Sequence, residues 1–68
     1  MTTKRRLGVV LQGLRARRGL SQQALAARVG VSGAYIAMLE TGKRRNPSLM
    51  LLQRLAKALG IPVTDLLS

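Results

Sequence analysis

Apolar residues recur along this chain at helical spacing, and glycines interrupt them at regular points. Leu7, Val10, Leu11 and Leu14 share one helical face, which predicts a first helix from about Arg5 to Arg18, ended by Gly19. Gly8 and Gly13 within it each weaken the helix by roughly 1 kcal/mol relative to alanine. A second helix is predicted from Ser21 to Val29, with Ser21 as N-cap, Gly30 as the left-handed stop, and Leu25, Ala26 and Val29 facing inward. Ser32 caps a third, whose spacing of Tyr35, Ile36 and Leu39 runs to Gly42. After the loop Lys43-Arg44-Arg45-Asn46 and Pro47, Ser48 caps a fourth helix with Leu49, Leu52, Leu55, Ala56 and Leu59 turned inward, closed by Gly60. Ile61-Pro62 makes a turn, and a short fifth helix spans Thr64 to Leu67. No alternating strand pattern, repeat or linker interrupts this series.

The pattern predicts an all-α fold, a compact bundle of five short helices. Its most informative feature is the connection between helices two and three. Only Gly30 and Val31 separate Val29 from the cap Ser32, and so short a link forces the helices to cross steeply, as in a helix-turn-helix. Ala26 is small where the helices approach, Gly30 supplies a positive φ, Leu25, Val29 and Val31 fill the space beneath the turn, and Ile36 and Leu39 anchor the far side. A plain helical hairpin is the bland alternative, and it leaves this combination unexplained.

Composition narrows the function. With 68 residues, the chain has room for one domain, read here as residues 1–68 with a flexible basic arm at 1–6. Its core has to be aliphatic, because Tyr35 is the single aromatic residue. Twelve Lys and Arg face two acids, Glu40 and Asp65, for a net charge of +10. Such a field favours a polyanion, and DNA, RNA or an anionic membrane surface are the candidates. The apolar runs are too short to span a membrane, and the leucines of helix one are committed to the core rather than to a lipid face. RNA is disfavoured by the lack of stacking aromatics. With no His, no Cys and two acids, general acid–base catalysis has no candidate residues, and no metal-ligand cluster, cofactor motif or small-molecule site is evident.

The run GLSQQALAARVGVSGAYIAMLETGKRRNPS resembles the lambdoid phage repressor and Cro-like helix-turn-helix family, the xenobiotic-response-element family of bacterial transcription regulators. The likeness extends from about Leu7 to Leu67. Leu11, Leu14 and Arg15 match helix one. Leu20-Ser21-Gln22, Leu25-Ala26 and Val29-Gly30-Val31-Ser32 match helix two and the turn. Ile36, Leu39-Glu40 and Gly42 match helix three, and Pro47-Ser48-Leu49, Leu52, Leu55-Ala56, Leu59-Gly60 and Leu66 match the remainder.

The resemblance implies sequence-selective binding of double-stranded DNA, with residues 32–41 in the major groove. Ser32, Gly33, Ala34, Tyr35 and Met38 match the face that reads base edges. Gly33 and Ala34 lack the amide or guanidinium groups that bond bases bidentately, so direct readout is expected to be sparse, with DNA shape contributing. Gln22 matches a phosphate contact at a helix N-terminus. Lys43, Arg44, Arg45 and Asn46 match the phosphate-contacting loop, Thr41 lies beside them, and Lys4, Arg5 and Arg6 can add backbone contacts. Arg15 and Glu40 match a structural ion pair, and Asp65 suits the first turn of helix five. The resemblance further implies a homodimer, with the apolar surplus at Met50, Leu51, Ile61, Pro62, Val63, Leu66 and Leu67 as its surface, and action in the cytoplasm on the nucleoid. An antitoxin or partner-binding adaptor of the same fold is the competing reading, motivated by the small Gly33 and Ala34.

Overall fold

The computed structural model describes the backbone of residues 3–67 and the side chains from Leu7 onward. Among the described residues five helices follow in order: α1 (Thr3–Arg17), α2 (Gln22–Val29), α3 (Gly33–Thr41), α4 (Leu49–Leu59) and α5 (Thr64–Leu67). The boundaries follow the predicted punctuation. Ser21, Ser32 and Ser48 are extended N-caps whose hydroxyls accept from the backbone N–H of Ala24, Tyr35 and Leu51. Each such cap contributes about 1 kcal/mol. At the other ends, Gly30, Gly42 and Gly60 are left-handed. The range expected as a basic arm falls partly inside α1, which is helical from Thr3. Met1, Thr2 and the side chains of Lys4, Arg5 and Arg6 lie outside the described residues.

The core is aliphatic and draws on every helix. Leu7 and Leu11 of α1 meet Leu25, Ala26 and Val29 of α2, Ile36 and Leu39 of α3, the leucines of α4 and Leu66 of α5. α2 and α3 pack against each other most extensively, α1 lies on α3, α2 on α4, and α5 closes the bundle against α1 and α4. Val31, in the turn, is half-buried against this core, as expected for the residue beneath a steep crossing.

Three expectations for apolar positions need correction. Leu49, expected to turn inward, is 59% exposed, and Leu51, expected on a dimer surface, lies in the core at 9% exposure. At 3.6 residues per turn, Leu49 lies about 90° from the centre of the buried stripe formed by Leu51, Leu52, Leu55, Ala56 and Leu59. It also stands at the first position of α4. Leu66, expected on a dimer surface, is only 2% exposed and is a core residue. It is the one buried side chain of α5 and holds that helix onto the bundle.

The glycines of α1 are not equivalent. Gly8 is buried where α1 crosses the end of α3, and a β-carbon there would sit 2.6 Å from the carbonyl oxygens of both Leu39 and Glu40. Those atoms are backbone and cannot swing away, so the helical cost of Gly8 is the condition for the α1–α3 contact. A β-carbon at Gly13 would meet nothing within 4 Å. Gly13→Ala is therefore expected to stabilise the domain by up to about 1 kcal/mol through helix propensity. Gly8→Ala is expected to destabilise it by about 1–3 kcal/mol through overpacking. Urea unfolding of both variants beside the parent measures this opposite pair of shifts.

Candidate nucleic-acid interface

α3 has two unlike faces. Ile36, Leu39 and Glu40 are buried on one. Ala34 and Thr41 are exposed on the other, with Gly33, Tyr35 and Met38 half-exposed between them, and the cap Ser32 is exposed ahead of them. The structure thus brings the expected base-edge residues together along one open side of a short helix. Gly33 also has a packing role that the sequence did not reveal. A β-carbon there would lie 2.9 Å from Gln23 Cγ, so glycine lets the first turn of α3 approach α2 closely.

Tyr35 divides its surface. Part of the ring packs against the core. The rest borders two adjoining depressions. One, of about 330 Å³, is lined by Tyr35 with Lys43, Arg44, Arg45 and Asn46. The other, of about 420 Å³, lies between the α2–α3 turn and α4. Tyr35 therefore joins the basic loop to the open face of α3.

The loop itself is exposed but not shapeless. Arg44 donates its backbone N–H to the Met38 carbonyl at 3.0 Å, and the Arg45 Nε donates to the Gly42 carbonyl at 3.0 Å. Thr41 Oγ1 donates to the Met38 carbonyl at 3.4 Å. These bonds fold the loop back on the end of α3, so its cations are presented beside the helix. At the far side of the loop, the first N–H groups of α4, at Leu49 and Met50, have no carbonyl to accept them within the helix. They form a further anion-attracting feature that side-chain reading overlooked.

Behind α3 lies the expected ion pair. Arg15 donates from Nε to Glu40 Oε2 at 2.6 Å and from Nη2 to Oε1 at 3.1 Å, a two-pronged pairing. Its Nη1 donates to the Leu20 carbonyl at 2.7 Å. Gln22 Nε2 donates to Glu40 Oε1 at 3.0 Å, so the side chain expected on a phosphate is first a partner of Glu40. The hydrogen bond from Arg15 to the carboxylate, with the attraction of its charge, raises the Arg15 pKa above its ordinary value, while burial acts the other way. Glu40 is 8% exposed, and these contacts make its burial tolerable.

A compact all-helical domain with a capped α2, a two-residue turn and an α3 open along one side is a helix-turn-helix DNA-binding domain. The chain belongs to the helix-turn-helix family, whose model matches residues 11–66, and to its transcription regulators. It is 38% identical over 68 residues to an uncharacterized HTH-type transcriptional regulator, y4dJ, of Sinorhizobium fredii, covering 100% of this chain and 87% of that protein. The restriction-modification controller protein C.AhdI of Aeromonas hydrophila superposes with a TM-score of 0.85 at 39% identity, covering 91% of this chain and 92% of that one. SinR, a master regulator for biofilm formation solved in complex with DNA, superposes with a TM-score of 0.86 at 29% identity, over 91% of this chain and 98% of that one. Other curated relatives are longer, and this chain spans only 40% and 43% of two of them.

Removing Arg15 leaves a buried carboxylate without its main partner. Arg15→Ala is expected to cost about 3–5 kcal/mol, enough to unfold much of so small a domain. Gln22→Ala removes one bond to the same carboxylate and is expected to cost about 1.5 kcal/mol. Thermal unfolding followed by circular dichroism checks the ranking.

Proposed function

We propose that this domain is a transcription regulator that binds double-stranded DNA with α3 in the major groove and the loop 43–46 on the adjacent phosphates. The observation that carries this reading is the joint placement of an open α3 face and a cationic loop folded against its end. Ala34 and Met38 suit thymine methyl groups, and the Tyr35 hydroxyl suits a base edge or phosphate. Lys43 and Arg44 are the main backbone clamps, with Arg45, Asn46 and Thr41 completing that edge, and Lys4, Arg5 and Arg6 supplementing it. The first N–H groups of α4 and of α2, at Gln22, add uncharged donors to phosphate. Phosphate contacts set register and affinity, whereas the α3 face sets preference. The function is binding rather than catalysis, for Glu40 is held by three donors and turned away from the open face. It is exercised in the cytoplasm.

The domain acts as a homodimer through exposed apolar side chains of α4 and α5. Met50 is 62% exposed and Leu67 45%, and Ile61 and Val63 are half-buried. The molecule measures 29 × 23 × 22 Å, so two copies side by side place their α3 helices on the scale of one DNA turn, about 34 Å. Met50→Glu with Leu67→Glu is expected to shift the sedimenting species to monomer and to lower affinity for a two-half-site duplex far more than for a single half-site.

Titration of a labelled duplex across salt concentrations tests the DNA reading directly. Log affinity is expected to fall linearly with log salt, by about 0.9 for each phosphate neutralised. Lys43→Gln with Arg44→Gln is expected to weaken all sequences alike and to reduce that slope by about 1.8. Tyr35→Phe and Met38→Ala are expected to change the sequences recovered from a random duplex pool while leaving the slope in place. Salt-insensitive or absent binding would overturn the reading.

A further inference from the structure

The first turn of α3 leaves a space that a side chain of α2 fills. Gly33 is the first residue of α3, half-exposed, and brings no side chain of its own. With α3 in the major groove, this turn is the part of the helix that meets base edges. A β-carbon at Gly33 would lie 2.9 Å from Gln23 Cγ, 3.5 Å from its Cα and 3.7 Å from its Cβ. Carbon atoms pack best at about 3.5–4.0 Å. The stem of Gln23 therefore occupies the place where a side chain at position 33 would begin.

Gln23 differs from its neighbours in α2. The Gln22 amide is committed to Glu40 at 3.0 Å. Gln23 is exposed, and among the described residues its amide makes no hydrogen bond. Its stem is seated while its head is free. A glutamine standing clear of its surroundings spreads over many rotamers, and DNA has to order it at an entropic cost. Contact of the stem with the Gly33 backbone removes part of that freedom beforehand, which favours binding by preorganisation.

The head decides what it binds. A carboxamide sets a donor beside an acceptor, the pattern that pairs with N7 and N6 of adenine in the major groove. A phosphate would use only the N–H half and leave the amide oxygen facing negative charge. The chain has twelve Lys and Arg for that duty. Helix packing alone would use the stem and give the amide nothing to do. We infer that Gln23, reaching across from α2, reads an adenine opposite the first turn of α3, in the place that Gly33 leaves open. This deepens the proposed DNA binding and rests on it.

The test uses the duplex that the parent recovers from a random pool, and the same duplex with each A·T pair replaced in turn by G·C. The parent is compared with Gln23→Ala and with Gly33→Ala, whose methyl pushes the Gln23 stem aside without removing it. One replacement in each half-site is expected to cost the parent about tenfold in affinity and to cost either variant nothing. Adding Gln23→Ala to Gly33→Ala is expected to change nothing further at that pair. The salt slope is expected to stay at the parent value throughout, because no phosphate contact is lost. A Gln23→Ala variant that discriminates at every pair as the parent does overturns the inference. Uniform weakening on all duplexes overturns it too, since that puts the amide on the backbone. So does a folded Gly33→Ala variant with the full adenine preference, and should that variant not fold, Gln23→Ala decides alone. A parent that binds duplex but recovers no preferred sequence overturns the inference and leaves the DNA reading standing. A parent that binds no duplex refutes the DNA reading itself, and the inference with it.

Discussion

A buried carboxylate organises this domain. Glu40 near the end of α3 receives Arg15 from α1 and Gln22 from α2, and the same arginine reaches on to the Leu20 carbonyl in the link between those helices. Three helices and a loop are thereby fixed about one side chain. Hydrophobic contact between leucines is tolerant of small rotations, whereas a two-pronged guanidinium–carboxylate pair is not. The pair sets the angle at which α3 stands on the core, and through it the direction of the open face. Its net contribution to stability is modest, since both groups were taken out of water to make it, but loss of one partner is costly.

Steric detail reinforces that geometry. At Gly8 the absence of a β-carbon brings α1 against the last carbonyls of α3, next to Glu40 itself. At Gly33 it brings the first turn of α3 close to Gln23. α3 is therefore gripped at both ends by close approach of its neighbours and behind its middle by Ile36 and Leu39. The basic loop is tied to the same helix by the bonds to the Met38 and Gly42 carbonyls, so orientation of the helix also orients the cations.

Much of this was legible in the sequence, because helix punctuation is local chemistry. Serine caps, left-handed glycines and the two-residue turn give the five helices nearly to the residue. The likeness to a known family supplied the Arg15–Glu40 pair and the loop. What escaped is what depends on three-dimensional neighbours. Leu49 reads as inward from its spacing to Leu52 and Ala56, but the buried stripe is centred on Leu55 and Leu59 and leaves Leu49 at its edge. Leu66 looked like surplus surface because a four-residue helix has too few turns to reveal its inner side. Gly8 looked like a simple cost, and its reason lies in a carbonyl more than thirty residues away. Gln22 was legible as polar at a helix start, but its partner Glu40 is distant in the chain.

The two faces of α3 have a consequence for how such a domain changes its target. Ile36, Leu39 and Glu40 carry the helix's structural duties, while Ala34, Met38 and the rim of Tyr35 carry little of the packing. New side chains at the outward positions meet solvent rather than core, so the chemistry α3 presents can drift while the scaffold stays intact. The exposed alanine at 34 leaves the most room, since a longer side chain there extends outward without disturbing anything beneath it.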